Sequence, residues 1–208
     1  MRVLDLGCGS GLDLASWGIV ASDEVTGVDI DKNRLAAAQL RFPTRTYQLC
    51  PGECLPFQAA SFDRVISSVA LPYMNIQKTL SEICRVLVPG GALSFSLHSP
   101  SFTLAELVYN AFPRPIPMLF RLYVMANGLW FHCTGRTAGF LRRRTESFQT
   151  ERGMRIALHR AGFENLLFSR TVGPDGVRFF VEANCSYRAR FAGRSCRHDL
   201  LRTRATSC

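Results

Sequence analysis

A short apolar strand, Val3-Leu4-Asp5-Leu6, runs directly into Gly7-Cys8-Gly9-Ser10-Gly11. Three glycines at alternate positions behind a strand constrain this chain more than any other feature. Glycine reaches positive φ at no steric cost and lets another group come close to the backbone. Residues 12–17 then resume as the start of a helical pattern. A strand, a tight turn and a helix in that order build a sheet whose next strand returns parallel to the first. The helix start behind the turn is expected to offer free N–H groups and a positive dipole end, a setting for a carboxylate or phosphate.

The pattern continues. Residues 24–30 read as a second strand that ends in Asp29, and Asp31 can cap a helix carrying Leu35, Ala38 and Leu40 before Pro43 stops it. Residues 46–50 and 62–68 read as strands three and four. Residues 76–87 read as a helix with Leu80, Ile83, Cys84 and Leu87 on one face. Pro89-Gly90-Gly91 then turns the chain into a fifth strand, 92–97. Strands alternating with helices imply an α/β fold, a mostly parallel sheet covered on both faces. Its ligand belongs outside the carboxyl ends of the strands. Residues 100–145 are rich in Phe, Leu, Tyr and Pro and show no strand pattern. Alternation returns as a helix over 151–161 and strands over 165–171 and 177–185, joined by the turn Gly173-Pro174-Asp175-Gly176.

With 208 residues, 47% of them hydrophobic and 20% charged, the chain suits one globular domain, placed at 1–185. Residues 186–208 lack periodicity and read as a basic, disordered tail. The most apolar stretch, 103–131, is interrupted by Glu106, Arg114, Arg121 and three prolines, so no membrane span is expected. No charged-then-apolar leader opens the sequence. The net charge of +9 is uneven: residues 1–100 carry eight basic and nine acidic side chains, 101–184 eleven and six, 185–208 six and one. Lysine occurs only at Lys32 and Lys78, and the remaining basic residues are arginine. Arginine suits phosphate, but biased codon usage and a solvated tail explain the same excess. The eight cysteines form no C-x-x-C pair and no zinc spacing, so no metal site is expected. Several lie in apolar runs as small buried residues, which fits a reducing, cytoplasmic compartment.

Asp29 follows Gly11 by eighteen residues, at the end of its strand. A carboxylate there accepts two hydrogen bonds and suits paired ribose hydroxyls. Nicotinamide enzymes use the same logic, but their G-x-G-x-x-G pattern needs glycine at position 12, which is Leu12. The Tyr-x-x-x-Lys pair of short-chain reductases is also missing, since Tyr73 is followed by Gln77 at that spacing.

Val3 to Gly11 resembles motif I of the class I S-adenosylmethionine (SAM)-dependent methyltransferases. Val25-Thr26-Gly27-Val28-Asp29-Ile30 resembles their second motif. Leu55-Pro56-Phe57 with Ser61-Phe62-Asp63-Arg64-Val65 is similar to the stretch before their fourth strand, and 82–91 to the helix and turn before the fifth. The likeness is densest to the branch holding the ubiquinone and menaquinone C-methyltransferases, where Ala161-Gly162-Phe163 also recurs. The resemblance implies a Rossmann-like three-layer sandwich with a seven-stranded, mostly parallel sheet and an antiparallel last strand. It implies SAM as cofactor. Gly7, Cys8, Gly9 and Gly11 would line its methionine part, Asp5 its ammonium and Asp29 its ribose. Ile30 would lie against the adenine, Gly52 and Glu53 at the adenine edge, and Ser68 near the sulfur. Many relatives carry an aspartate where this chain has Pro51, which cannot accept from the adenine amine. Relatives also place roughly 30–50 residues before motif I, within normal domain sizes, so either the true start lies upstream or the chain is an N-terminally shortened member.

Methyl transfer from a sulfonium needs alignment first, and a base only where the nucleophile carries a proton. Three side chains are candidates for that base. Tyr73 follows the fourth strand, His98 ends the fifth and His132 lies in the apolar insertion. Each reads more simply as a pocket wall, a turn residue and a lid residue. The insertion, 101–145, is the expected substrate lid, and its Phe102, Tyr109, Phe120, Tyr123 and Trp130 point to an apolar or aromatic small-molecule acceptor. Packing on the sheet is the plainer account of these side chains, and resting on a membrane surface through 118–131 is a third. Arg142-Arg143-Arg144 suits a phosphate or carboxylate, or a solvated face. Two rivals differ in class. An RNA methyltransferase would explain the arginines, but no aromatic-and-basic module accompanies them and Ala70-Leu71-Pro72-Tyr73 only partly matches the Asn/Asp-Pro-Pro-Tyr/Phe motif. A non-catalytic protein of the same fold would bind without transferring.

Overall fold

The computed structural model describes residues 1–11, 14–98, 115–138, 147–173 and 176–186. Its strands are β1 (Arg2–Leu6), β2 (Glu24–Asp29), β3 (Thr46–Leu49), β4 (Phe62–Ser68), β5 (Leu87–His98), β6 (Phe163–Gly173) and β7 (Gly176–Cys185). They form one sheet in the order β3-β2-β1-β4-β5-β7-β6. β1 to β5 pair in parallel, and β7 runs antiparallel to both β5 and β6. Strand order reverses between β1 and β4, which opens a crevice at their carboxyl ends.

Alternation along each strand sorts the core into two layers. Leu4 and Leu6 of β1 join Val65, Leu93 and Phe95 on one face, under α2 (Ile76–Val86) and α4 (Glu151–Ala161), which contribute Leu80, Ile83, Met154 and Leu158. Val3 turns the other way and packs with Leu14, Ile19, Val25 and Ile66. Each fully buried Leu or Ile stabilises the fold by about 2 kcal/mol.

The helix ends follow capping chemistry. Asp31 accepts from the amides of Asn33 and Arg34 at the start of α1 (Lys32–Arg41). Asn75 accepts from the Lys78 amide at the start of α2. Thr150 accepts from the Gly153 amide at the start of α4, and Gly162, at φ 90°, ends it. The long apolar insertion carries α3 (Pro115–Thr134), which packs on α4. The rest of the expected lid, and the tail from 187, lie outside the described residues.

Three expectations change. The helix expected over 12–17 is a single 3-10 turn, Leu14–Trp17, with 12 and 13 outside the described residues. Gly18, at φ 72°, closes that turn by donating to the Ala15 carbonyl. The Pro-Gly-Gly turn is absorbed into β5 as an irregularity opposite Phe62 and Arg64. A Cβ at Gly91 would lie 2.8 Å from the Val88 carbonyl, so the backbones pass there only without a side chain. Several cysteines are expected as small buried residues in a reducing compartment, whereas Cys84 and Cys185 form a disulfide from α2 to β7, with their Cα atoms 5.7 Å apart. The tertiary contact that joins them spans 101 residues and leaves no trace in local spacing.

None of the described helices is long and apolar enough to cross a membrane. Among the described residues, no group of three or more His, Cys, Asp or Glu side chains is placed to hold a metal ion.

Candidate functional site: a cradle at the ends of β1, β2 and β4

Gly7, Gly9 and Gly11 all adopt positive φ, at 70°, 54° and 87°. The amides of Gly7 and Cys8 both donate to the Val28 carbonyl, at 2.8 and 3.0 Å, and the Gly11 amide donates back to the Cys8 carbonyl. The loop is thereby folded over the end of β2. A Cβ at Gly7 would collide with the Ala70 side chain, and one at Gly11 would lie 2.8 Å from the Phe42 ring. At Gly9 the nearest side-chain atom is 3.8 Å away, on Arg34, so the loop is open there.

Asp29 closes the cradle. One of its oxygens accepts from the Gly9 amide at 2.8 Å and the other from the Asp31 amide at 2.9 Å. Each oxygen keeps a second lone pair, which suits two vicinal hydroxyls. Ile30, the next residue, is 75% exposed and offers an apolar surface beside that carboxylate. Gly52 is buried against Met74 and Leu6, where a Cβ would lie 2.7 Å from the Met74 sulfur. Glu53 accepts from the Asn75 amide at 2.7 Å, so its carboxylate ties the loop after β3 to the start of α2. Ser68 ends β4 with its hydroxyl 3.4 Å from that of Ser96.

The loop after β3 is held from beneath by a part-buried ion pair. Glu82 accepts from the Leu55 amide at 2.9 Å and from Arg85 at 2.9 and 2.7 Å. Arg85 in turn donates to the carbonyls of Leu55 and Phe57 at 2.8 and 2.7 Å.

Asp5 is 2% exposed at the centre of the crevice. Burial first, and then the charge of Asp29, push its carboxyl up to about 7, against the pull of Arg45. A carboxyl whose folded pKa exceeds its unfolded value of 3.8 contributes stability that is full below that value and is lost as pH rises through about 7. Stability of the ligand-free protein is therefore expected to fall between about pH 4 and 7, by up to about 1.4 kcal/mol per pH unit from this group, and to level off above that. Thermal or urea unfolding across that range should show a flatter slope for Asp5→Asn. Equal slopes in the two proteins would remove Asp5 as the source.

Cys8 turns away from the cradle. It is 3% exposed, and its sulfur fills the space a Gly27 Cβ would take, beside the Tyr47 ring. Burial, with the charges of Asp5 and Asp29 adding to it, pushes the thiol up to about 12. The thiolate is the nucleophile, so iodoacetamide at pH 8 should label exposed Cys133 and leave Cys8 intact in the folded protein. Peptide mapping by mass spectrometry reads this directly, and prompt labelling of Cys8 would contradict its packing.

Of the catalytic candidates, Tyr73 ends a 3-10 turn (Leu71–Tyr73) after β4 and is 64% exposed. His98 ends β5, and its side chain lies outside the described residues. His132 sits on α3 with its Nδ1 2.9 Å from the Thr150 hydroxyl that caps α4. Sequence reasoning missed Ala70 and Met74, which wall the glycine loop. It also missed Val69, a β-branched residue at φ 56° directly after β4, whose amide donates to the Ser96 carbonyl. Such a residue in the left-handed region is strained and needs tertiary support. No local pattern announces it.

The residues fit SAM. The glycine loop leaves room for a chain along the backbone, Asp29 has free lone pairs for a ribose, and Ile30 exposes an apolar face for a purine. Residues 4–95 match the methyltransferase domain family. The chain is 38% identical over 117 residues to a malonyl-[acyl-carrier protein] O-methyltransferase of Erwinia billingiae, covering 56% of this chain and 46% of that one. It is 31% identical over 102 residues to the O-methyltransferase resE of Aspergillus sclerotiorum, covering 46% and 39%. The chain thus spans under half the length of these two relatives. The fold is shared with a solved SAM-dependent methyltransferase from Mesorhizobium loti, at a TM-score of 0.58 and 20% identity, covering 88% of this chain and 90% of that one. The glycine cradle and the carboxylate that ends β2 thus lie within the stretch that matches the methyltransferase domain family, and the chain shares its fold, reversed strand order included, with a SAM-dependent methyltransferase.

Proposed function

We propose that this protein transfers a methyl group from SAM to a small apolar or aromatic acceptor, held over the ends of β4 and β5 and bounded by the 101–145 insertion. The observation that carries the reading is the cradle itself, with Asp29 locked to Gly9 and Ile30 left open beside it. When bound, SAM supplies a methyl group on a positively charged sulfur that leaves as a neutral thioether. The protein's part is to bind and align. Asp29 holds the ribose. Asp5 faces the cofactor's ammonium, and the glycine loop follows its methionine chain. Ile30, Gly52 and Glu53 border the adenine, and Ser68 lies toward the sulfur. Alignment of this kind contributes several kcal/mol without any proton transfer.

Tyr73 stands at the open mouth of the crevice. It walls the acceptor there, and its hydroxyl is a candidate base together with His98. Gln77 on α2 donates to the Gly135 carbonyl at 3.3 Å and accepts from the Thr137 hydroxyl at 3.2 Å. These bonds fasten the turn after the apolar α3 to the first turn of α2, which follows Tyr73 in the chain, and so support an apolar acceptor. Oxygen is the first accepting atom to try, because both curated relatives are O-methyltransferases by name.

The test is calorimetric titration with SAM and S-adenosylhomocysteine, followed by methyl transfer from labelled SAM to phenols, quinols and acyl thioesters bearing a free carboxylate. Saturable cofactor binding and transfer to at least one acceptor are expected. Tyr73→Phe should keep turnover if the ring is a wall and lose it if the hydroxyl is the base. A folded protein that binds neither cofactor form would sink the reading. Cofactor binding with no transfer to any of these acceptors would leave a binding protein of the same fold.

A further inference from the structure

α3 is apolar on two opposite faces. One face packs: Val124, Asn127 and Phe131 are buried, and Gly128 lies against the Phe148 ring. The other face is open to water. Leu119, Leu122, Leu129 and Trp130 are 64%, 49%, 62% and 51% exposed, and Cys133 is exposed in line with them. Steps of three and seven residues, with Trp130 beside Leu129, gather them into one stripe along the helix. A large contiguous apolar stripe in water marks a surface with a partner.

The charges around the stripe are of one sign. α3 and the turn after it contain no acidic residue. Arg121 lies within the helix, its guanidinium over the Phe120 ring, and Arg136 follows the helix end. Arg160 of α4 donates to the Thr134 carbonyl at that same end. Over 101–150 the chain has six arginines against Glu106 and Glu146. The nearest described acid on α4, Glu151, is paired with Arg155 at 2.8 Å. A second copy of this face would bring arginine against arginine. An anionic lipid surface would meet the apolar stripe with acyl chains and the arginines with phosphates.

We infer that α3 rests on an anionic phospholipid surface, with Leu119, Leu122, Leu129 and Trp130 in the interfacial layer and Arg121, Arg136 and Arg160 at the headgroups. The inference stands on this stripe and its charges, independently of the methyl acceptor.

The experiment is co-flotation of the full chain with vesicles of phosphatidylcholine alone, or of phosphatidylcholine with phosphatidylglycerol, beside Leu122→Asp/Leu129→Asp. Binding to the anionic vesicles only is expected, weakening with added salt. In the double variant the bound fraction should fall at least about tenfold, as two leucines no longer leave water. Its circular dichroism and S-adenosylhomocysteine binding should match the parent. The chain has two tryptophans, so Trp17→Phe isolates Trp130, whose emission should shift to the blue on the anionic vesicles and be quenched by brominated acyl chains. This readout stands even if the double variant fails to fold. No binding to anionic vesicles would overturn the inference. So would unchanged binding by a folded double variant, which would assign attachment to other basic residues, or Trp130 emission unmoved in bound protein. A concentration-dependent dimer in sedimentation, dissolved by the double variant, would give the stripe to a second copy and equally overturn it.

Discussion

Asp29→Ala is expected to weaken S-adenosylhomocysteine binding by about 3 kcal/mol, roughly a hundredfold. The loss has two sources. The carboxylate accepts from the Gly9 and Asp31 amides, so alanine releases the glycine loop and unfastens the start of α1. It also removes the acceptors for both ribose hydroxyls. Hydrogen bonds to a charged group contribute about 1.5–3 kcal/mol each. Asp29→Asn separates the sources, because the amide oxygen can still hold one backbone N–H. It should keep most of the stability and lose much of the affinity. Calorimetry on both variants, beside their thermal midpoints, reads the two effects apart. Unchanged affinity in Asp29→Ala would remove Asp29 from the cofactor site.

Glu82→Ala should cost about 3–5 kcal/mol of stability, the range for breaking a buried ion pair at one partner. Glu82 is 8% exposed, and its carboxylate serves Arg85 and the Leu55 amide together. Alanine would take the Glu82 carboxylate from a half-buried guanidinium that still donates to the Leu55 and Phe57 carbonyls, and would leave the Leu55 amide without its acceptor. The loop carrying Gly52 and Glu53 would loosen as well, so cofactor affinity should drop with stability. Glu82→Ala/Arg85→Leu should be less unstable than Glu82→Ala alone, because no uncompensated charge remains. Urea unfolding decides the matter. A cost under about 1 kcal/mol would put this pair among solvated surface bridges.

Much of this architecture is legible in the amino-acid sequence, for physical reasons that act locally. The helix expected over 151–161 has those bounds in the fold because Thr150 and Gly162 punctuate it, one by capping and the other by its left-handed backbone. The glycine run requires a turn at positive φ, and the structure has one there. The helix expected behind that turn shrinks to a single 3-10 turn, since Gly18 closes it with backbone geometry that no apolar period reveals.

The site divides in the same way. Asp29 is visible in the sequence because it ends a strand at the right distance from the glycines. Its bond to Gly9 is not, because twenty residues separate them along the chain. Glu53 can be named as an acid in the loop after β3, but its bond to Asn75 depends on where α2 begins in space. Cys8 sits in the motif, yet the missing Cβ of Gly27 gives its sulfur a place to pack away from the cradle.

The order of residues alone thus dictates the α/β class, the glycine turn behind β1 and the strand-end position of Asp29, since periodicity, capping and glycine conformation are properties of neighbours. Three-dimensional packing settles the rest: the insertion of β7 between β5 and β6, the Cys84–Cys185 link, the strain at Val69, the clamp beneath the loop after β3 and the open face of α3. Each of these joins residues far apart in the chain or depends on what a face meets, and a linear pattern carries no record of which distant surfaces come into contact.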